Sequence, residues 1–486
     1  MTLNSPAFLF LFLPAFLASF ALAGRRLRAP LLLFFSLGFF LWSEPLFFPF
    51  IFTLALLNAS LAQTLQKNAL QKRARPRLLA AGVTLNLLCL LFFKVISAYW
   101  VPLLDLAGQA GFAIPNRVIS LLPRVARLPL GFSFLTFQAI SMLVDASQQP
   151  PMGTVSLVEM LNYLLMFPKA IAGPLVRLDE SARQLRAPDV SLSNAASGLR
   201  RFMFGFAKKT LIADQLALIS AGGLFEQAPN NIPTGVAWLV LLAYSLQLYF
   251  DFSAYSDMAI GLGQALGLRF VENFNYPYLA TSIADFWRRW HISLSTWFRD
   301  YVFYPLERKR RSYPWLNQRI NLLIVFLLTG LWHGVIPTFI LWGLLHGGAL
   351  ALEQGPFGAW LRKQVRPLRH LYALVVILAG WVFFRSPDLV YAWGFFKSLA
   401  GFSTRTMLPF SIFPPVSTLS WAALAVGLLF CFPTKTVLEK ALTRAIPPEK
   451  SSLLTWVFNL LALALFIGGI VVQAGSNYQP FIYGEF

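Results

Sequence analysis

Long apolar segments separated by short basic clusters constrain this chain more than any other feature. About 20 consecutive apolar residues cross the hydrocarbon core of a bilayer as a helix. The chain is 57% hydrophobic and 12% charged, whereas soluble domains carry about 25% charged residues. No polar linker divides the apolar segments, so we interpret residues 1–486 as a single integral-membrane domain with its core at 129–353. The predicted spans are residues 7–23, 30–43, 46–64, 78–98, 129–146, 203–223, 235–262, 319–334, 337–353, 368–384, 418–432 and 453–473.

This pattern predicts an all-α polytopic membrane protein with roughly 11–12 transmembrane helices and additional re-entrant or in-plane helices. The weakest predicted spans, 30–43 and 418–432, are candidates for re-entrant helices. Residues 155–175 are also apolar, but Pro168 and Pro174 interrupt them. Because interrupted backbone at membrane depth must be covered by protein or line a water-filled cavity, this segment predicts a buried re-entrant or in-plane element.

The positions of basic residues predict the orientation of the spans. Residues 8–20 precede a sequence that resembles a signal-peptidase site, but the basic residues follow this segment instead of preceding it. We therefore interpret it as a retained first span with the N-terminus outside. One loop, with Arg117, Arg124 and Arg127, contradicts the alternation. The clusters assigned to the cytoplasm contain Arg25, Arg26, Arg28, Lys67, Lys72, Arg73, Arg75, Arg77, Arg183, Arg186, Arg200, Arg201, Lys208, Lys209, residues 308–311, Arg362, Lys363, Arg366, Arg369, Lys435, Lys440 and Arg444.

Several other function classes receive no support. The net charge of +20 does not indicate nucleic-acid binding, because the basic residues lie between apolar segments, where topology signals belong. Cys89 and Cys431 lie inside apolar segments without a neighbouring cysteine, which argues against a disulfide framework or a metal cluster. Glycines 261, 263 and 267 miss the spacing of a dinucleotide-binding loop and are typical of helix packing. We predict no metal and no permanently bound cofactor.

Three of the four histidines lie between Asp285 and His346. Spans 319–334 and 337–353 form a predicted helical hairpin with both ends in the cytoplasm. Counted from residue 319, His333 lies about 20 Å along its span and therefore toward the outer leaflet. His346 lies deeper, and we interpret it as a helix-packing group and His370 as a juxtamembrane residue.

His333 is the principal catalytic candidate, in a helix made mostly of aliphatic residues. A neutral imidazole near pH 7 can act as a general base by taking a proton from a hydroxyl. Ionisable groups at membrane depth are costly and are usually functional. The alternative is a histidine that hydrogen-bonds the backbone or anchors the helix at the interface. The neighbouring Trp332 is predicted to contact the substrate.

His291 is the second catalytic candidate, in a block rich in arginine and tryptophan. At helical spacing Arg288, His291 and Ser295 share one face. An interfacial amphipathic helix would explain the block, and the alternative is an entry path for a polar or anionic donor. The tryptophans predicted to lie in the headgroup layer are Trp287, Trp290 and Trp297.

The remaining substrate-binding candidates are Arg288, Arg289, Trp290 and Asp251. If the block lines an entry path, the two arginines and Trp290 contact the donor there. Asp251 belongs to a polar island on the seventh span, where an acid is costly. It either pairs with Arg288 and Arg289 as a structural ion pair or contacts the substrate.

Motifs over most of the length make the chain resemble the membrane-bound O-acyltransferases of the alginate O-acetylation type, which are related to the D-alanyl transfer proteins of teichoic acid modification. The most specific motif is the block DFWRRWHISLSTWFRDYVFYPL at residues 285–306. The other motifs, in chain order, are LGFSF, TFQ, FP, IAGP, AKK, IAD, YSLQLYFDFSAYSDMAIGLG, ENFNYPY, GLWHG and PFIY.

The resemblance implies a helical body around a central tunnel, with His291 and His333 as the two characteristic histidines and His333 as the catalytic one. It implies an acyl group, expected to be acetyl, that passes from a cytoplasmic thioester donor to an acceptor on the outer side. Acetyl-coenzyme A is the expected donor, and the expected acceptors are an exported polysaccharide and a periplasmic transfer partner. The expected location is the lipid bilayer of a bacterial inner membrane.

Two other functions remain open on the residues alone. Arginines and histidines that line an anion path would suit a transporter or channel, although transporters commonly contain internal repeats and the two halves of this chain show no such symmetry. A non-catalytic scaffold for a polysaccharide export complex is the third hypothesis.

Overall fold

The computed structural model describes residues 1–73, 75–110, 112, 115–148, 154–220, 232–309, 314–403, 416–434, 437, 451–475 and 481. The described residues are mainly helical and include no strand. The helices are α1 (Leu13–Leu22), α2 (Arg28–Ser43), α3 (Phe48–Leu70), α4 (Pro76–Gln109), α5 (Asn116–Val125), α6 (Phe132–Ser147), α7 (Leu157–Leu165), α8 (Leu178–Arg186), α9 (Leu192–Ala207), α10 (Asp214–Ser220), α11 (Thr234–Ala265), α12 (Ile283–Trp287), α13 (Ile292–Phe298), α14 (Tyr304–Lys309), α15 (Pro314–His333), α16 (Pro337–Glu353), α17 (Pro356–Lys363), α18 (Arg366–Arg385), α19 (Leu389–Leu399), α20 (Thr418–Phe430) and α21 (Ser451–Ala474).

The predicted spans coincide with helices, except that residues 221–223 lie outside the described part of the chain. The re-entrant candidates 30–43 and 418–432 form α2 and α20. Within the described part of the chain, five helices are long and apolar enough to cross a membrane, and four shorter helices are also apolar. The chain is therefore an all-α, multi-pass membrane protein. The five long helices are Phe48–Leu70, Pro76–Gln109, Thr234–Ala265, Arg366–Arg385 and Leu454–Ala474.

Some residues used in the sequence predictions lie outside the described part. They are Arg310, Arg311, Lys435, Lys440, Arg444, Pro480, Ile482 and Tyr483.

The chain forms two compact units. As far as they are described, the first comprises Met1–Leu199 and Met258–Val271, and the second comprises Arg200–Asp257 and the residues from Glu272 onward. Nothing in this division tests the interpretation of the chain as one functional domain, which stays a prediction.

In the first unit, α6 packs against α3 and α4, and α7 packs against α2 and α3. The interrupted segment 155–175 forms the short helix α7 and a 3₁₀ turn at Phe167–Lys169, and its residues from Val158 to Lys169 are largely buried. The predicted buried, broken element is confirmed. Arg127, which contradicted the charge alternation, forms a bidentate ion pair with Glu44 at 2.6 and 2.9 Å.

In the second unit, α15 and α16 form a hairpin, and α16 also packs against α12 and α18. A π-helical turn at Lys208–Ala213 joins α9 to α10 and packs against α20 and α21. This arrangement places the described residues from Asp285 to His346 within one unit.

Candidate active site

Close contact between two helices builds the hairpin that carries His333. A Cβ atom at Gly330 would lie 2.4 Å from the carbonyl oxygen of Phe339, and one at Gly343 would lie 2.4 Å from that of Phe326. Backbone oxygens inside helices cannot move away, so only glycine permits this approach. The predicted pairing of the two spans is confirmed.

The tip of the hairpin places His333 at the end of a helix. His333 is the last residue of α15, and Pro337 is the first of α16. Between them Ile336 is extended (φ −108°, ψ 153°), as the residue before a proline prefers to be. The side chain of His333 therefore lies where the chain reverses.

Aromatic rings enclose the His333 imidazole, which is only 5% exposed. Its centroid lies 4.6 Å from Trp332, 4.9 Å from Trp342, 4.8 Å from Phe384 and 6.0 Å from Phe339. The rings of Trp342 and Phe384 meet the imidazole nearly edge to face. These contacts come from α15, α16 and α18, so three helices fix the orientation of the ring.

The block around His291 differs from the single helix that its spacing suggested. His291 has a left-handed backbone (φ 45°, ψ 53°) and separates α12 from α13. The expectation that Arg288, His291 and Ser295 share one helical face is therefore wrong. A left-handed backbone at a residue other than glycine is sterically unfavourable and persists only where surrounding contacts hold it.

Asn273 supplies those contacts. Its Oδ1 accepts hydrogen bonds from the Ser293 backbone N–H (3.1 Å) and the Ser293 hydroxyl (2.9 Å), and it lies 3.2 Å from His291 Nδ1. Because a backbone N–H can only donate, this Asn273 atom is oxygen, and Nδ1 of His291 must carry a proton. Burial lowers the pKa of the His291 imidazole to about 3. His291 is therefore neutral near pH 7, with its lone pair on Nε2.

The tryptophans of this block do not lie at a headgroup surface. Trp287, Trp290 and Trp297 are 9%, 2% and 6% exposed, because protein covers them. Trp290 packs 5.1 Å from Phe274 and 5.0 Å from Trp381. The prediction of an interfacial position for these rings is wrong, since tryptophan suits both interfaces and protein cores.

A series of contacting aromatic rings leads from the neighbour of His291 to His333. Trp290, next to His291, contacts Trp381 at 5.0 Å. Trp381 lies 5.8 Å from Phe384, and Phe384 lies 4.8 Å from His333. The structure thus brings His333, Trp332 and Trp290 into one aromatic region.

The two predicted substrate-binding arginines share the carboxylate of Asp285. Arg289 Nε donates to it at 3.1 Å, and Arg288 lies 3.5 Å from it. The Arg288 side chain is 70% exposed and that of Arg289 is 30% exposed. The guanidinium of Arg288 is therefore accessible to an anionic ligand.

Asp251 belongs to a different group of residues. It is 1% exposed and lies 2.6 Å from the Nζ atom of Lys209, which also contacts Asp214 at 2.8 Å. The prediction that Asp251 pairs with Arg288 and Arg289 is wrong. Asp251 does belong to an ion pair, but its cation is Lys209, whereas both arginines pair with Asp285. Asp251 precedes Phe252, whose ring contacts His291 at 4.6 Å.

The other two histidines have defined partners. His346 is fully buried and accepts a hydrogen bond from Trp287 Nε1 at 3.4 Å. His370 Nδ1 lies 3.0 Å from the carbonyl oxygen of Ala280. Among the residues described, no three His, Cys, Asp or Glu side chains are close enough together to hold a metal ion.

Sequence reasoning missed Asn273, Trp342 and Phe384. Asn273 lies in a motif that supported the family resemblance, but nothing local marks it as the partner of His291. Trp342 and Phe384 are aromatic residues on apolar helices, where such residues most often serve packing alone. Only the spatial arrangement identifies them as the walls around the histidines.

The family model of the membrane-bound O-acyltransferases matches residues 42–386. That range includes both catalytic candidates and all five predicted substrate-binding residues.

Named relatives extend the match. The chain is 39% identical over 407 residues to the probable alginate O-acetylase of Azotobacter vinelandii, covering 84% of this chain and 79% of the relative. It is 30% identical over 538 residues to the peptidoglycan O-acetyltransferase of Helicobacter pylori, covering 99% and 97%. It is 32% identical over 244 residues to the teichoic acid D-alanyltransferase of Bacillus subtilis, covering 48% and 60%.

Proposed function

Because this chain belongs to the membrane-bound O-acyltransferase family, we propose that it transfers an acetyl group from a cytoplasmic thioester to a hydroxyl of an exported polysaccharide. Two relatives aligned over most of their length are named for O-acetylation, one of alginate and one of peptidoglycan. The relative named for D-alanyl transfer aligns with 48% of the chain. These matches favour acetyl as the acyl group and a polysaccharide as the final acceptor.

His333 is the general base of this proposal, and the aromatic enclosure of its ring is the observation that carries it. A general base must be held in one orientation beside the hydroxyl from which it takes a proton. The rings of Trp332, Trp342 and Phe384 hold the imidazole in this way. In this role Trp332 and Trp290 form part of the wall along which the acyl group lies.

The proposed transfer balances without a metal or a redox cofactor. His333 takes the proton of the acceptor hydroxyl while its oxygen attacks the thioester carbonyl carbon. The carbon–sulfur bond then breaks, and the departing thiolate receives the proton from the imidazolium. The products are an O-acetyl ester and a free thiol, and acetyl-coenzyme A is the donor that fits this chemistry. The hydroxyl belongs to the polysaccharide or to a periplasmic partner that carries the acetyl group.

The proposed direction rests on the basic clusters. With these clusters in the cytoplasm of a bacterial inner membrane, the N-terminus lies outside and both ends of the hairpin lie inside. The 20 residues of α15 rise about 30 Å, enough to bring His333 to the outer side. His291, Arg288 and Arg289 then contact the acyl donor on its entry path. Asp251 helps to hold His291 in place through its neighbour Phe252, whose ring contacts the imidazole. Residues 1–486 act as one acyltransferase domain with its core at 129–353.

Full-length protein in liposomes tests the proposal. Acetyl-coenzyme A with a labelled acetyl group is supplied on one side and alginate oligosaccharide on the other, and ester formation is measured. His333→Ala should lower the rate about 10²–10⁴-fold, the usual contribution of a general base. His370→Ala is the matched control and should keep the wild-type rate. Normal transfer by a well-inserted His333→Ala protein would refute the role of His333.

A further inference from the structure

Helix α16 carries three buried polar side chains at intervals of four residues. Thr338, Trp342 and His346 are 0%, 1% and 0% exposed, and the spacing places them on one side of the helix. Thr338 Oγ1, Trp342 Nε1 and His346 Nε2 are buried and have no hydrogen-bond partner among the residues that the structure describes. We call these three residues the α16 donor row. Buried polar atoms in proteins are nearly always hydrogen-bonded, so three exceptions in a row need an explanation.

The hydrogen bond from Trp287 fixes the tautomer of His346. An indole nitrogen can only donate, so His346 Nδ1, 3.4 Å from Trp287 Nε1, must be the acceptor. The proton of the neutral imidazole then lies on Nε2. His346 therefore presents a hydrogen-bond donor, whereas the protonated nitrogen of His291 is the Nδ1 that faces Asn273.

A glycine on α18 faces this donor. A Cβ atom at Gly380 on α18 would lie 2.7 Å from His346 Nε2 and 3.5 Å from Trp342 Cδ1. Any other residue at this position would place carbon against the N–H group. The glycine thus keeps side-chain carbon away from the Nε2–H group.

Trp342 separates this donor from the proposed general base. The centroids of His333 and His346 lie 4.9 and 5.0 Å from that of Trp342. The two imidazoles are therefore within about 10 Å of each other, one on each side of the Trp342 ring. A hydroxyl bound to one imidazole and a carbonyl group bound to the other would meet beside the indole.

We propose that His346 binds the carbonyl oxygen of the acyl donor through Nε2–H, with Trp287 as the positioning residue that keeps the proton on this nitrogen. The inference rests on the proposed acyl transfer. When the hydroxyl oxygen attacks, the π electrons of the carbonyl move to its oxygen, and the N–H group stabilises the growing negative charge. The electron pair returns when the carbon–sulfur bond breaks. His346 neither gains nor loses a proton.

Two substitutions of nearly equal shape test the role of the N–H group. His346→Gln keeps an N–H donor near the position of Nε2, and His346→Met fills similar volume without one. In liposomes supplied with acetyl-coenzyme A, kcat of His346→Met should fall about 10²–10³-fold, while His346→Gln stays within about tenfold of wild type. Equal activities of the two variants, whether high or low, would overturn the proposal.

Binding gives a readout that a purely structural role would not change. Wild type and His346→Gln should bind acetyl-coenzyme A more tightly than S-ethyl-coenzyme A, which has a methylene in place of the carbonyl. His346→Met should bind the two compounds equally. Retained preference for the acetyl compound in His346→Met would contradict a contact with the carbonyl oxygen.

A substitution at a neighbouring residue tests the same contact even if the His346 variants misfold. Gly380→Ala leaves the histidine in place but puts a methyl group against Nε2, and it should lower kcat. Gly348→Ala, whose Cβ meets nothing within 4 Å, is the control that should not. Transfer by wild type with no effect of any His346 or Gly380 variant would refute this inference alone. Absence of transfer by wild type, both to alginate oligosaccharide alone and with periplasmic protein added as acceptor, would refute the proposed function and the inference with it.

Discussion

The second unit contains two sets of buried polar side chains, and they differ in whether protein atoms supply their polar partners. In the Lys209 cluster (Lys209, Asp214, Asp251), the ammonium lies 2.6 Å from one carboxylate and 2.8 Å from the other, with the ring of Phe481 4.8 Å away. In the α16 donor row, the side-chain atoms Thr338 Oγ1, Trp342 Nε1 and His346 Nε2 have no hydrogen-bond partner among the described residues. Protein groups complete the first arrangement, whereas in our proposal the carbonyl oxygen of the acyl donor supplies the missing partner of His346 Nε2 in the second.

We interpret the Lys209 cluster as structural and the α16 donor row as part of the proposed catalytic site. The Lys209 cluster joins the π-helical turn at Lys208–Ala213 to α10 and α11, so its charges hold helices together. The donor row lies beside the proposed general base, where partners supplied by the protein would compete with a substrate. Sequence alone marks Asp251 and His346 equally as costly polar residues at membrane depth. Only their contacts distinguish the roles.

The largest effect should come from breaking the Lys209 cluster. Lys209→Met leaves two buried carboxylates without their cation and should destabilise the protein by about 3–5 kcal/mol. The thermal unfolding midpoint in detergent measures this loss, and activity should fall in proportion to the folded fraction.

The neighbouring lysine is the matched control for that experiment. Lys208 pairs with Asp257, which Arg201 also contacts, so Lys208→Met leaves Asp257 with a cation and should change the midpoint less. If Lys209→Met protein were as stable as wild type but inactive, the cluster would belong to the chemistry and the comparison would fail.

The second-largest loss of stability should come from disturbing the helix packing that aligns the α16 donor row with His333. Gly343→Ala places a methyl group 2.4 Å from the carbonyl oxygen of Phe326 and should separate the hairpin helices. Overpacking of this kind costs about 1–3 kcal/mol of stability, and displacement of the histidines should lower kcat as well. Gly348→Ala on the same helix has open space around its Cβ and should have neither effect. Equal behaviour of the two variants would show that the close glycine contact does not position the site.

The helices and the hairpin were predictable, because membrane helices need long apolar segments and two such segments joined by a short link must lie side by side. The proximity of His333 to the hairpin tip follows from counting residues. The local geometry at His291 was not predictable, because its left-handed backbone depends on Asn273, which is distant in sequence. The cation beside Asp251 was missed for the same reason, since nearby arginines and a distant lysine are equally plausible partners until the helices are packed.

The pH dependence of stability distinguishes His291 from exposed histidines. The unfolded imidazole titrates near 6.5, and burial lowers the pKa of His291 to about 3 in the folded protein. The unfolded state therefore binds the proton first, so the contribution of His291 is complete above pH 6.5 and is lost as pH falls toward 3. The loss is about 1.4 kcal/mol per pH unit within that range.

Unfolding free energies of wild type and His291→Gln between pH 7 and 5 measure this contribution. Wild type should lose more stability over the interval than the variant does, because the variant lacks the titrating ring. Parallel curves would mean that His291 takes up a proton in the folded protein, which conflicts with its enclosure beside Phe252 and Asn273.

The smallest effect on stability should come from Arg288, the accessible member of the predicted donor-binding pair. Its exposed ion pair with Asp285 contributes less than about 1 kcal/mol, so Arg288→Ala should leave the unfolding midpoint nearly unchanged. If Arg288 attracts an anionic donor such as acetyl-coenzyme A, the variant should raise the KM for that donor while kcat stays constant. High salt should raise the wild-type KM in the same way, because screening weakens an exposed charge. A fall in kcat with unchanged KM would place Arg288 in the chemistry beside His333 and His346, because it would then act on the transition state instead of on donor capture.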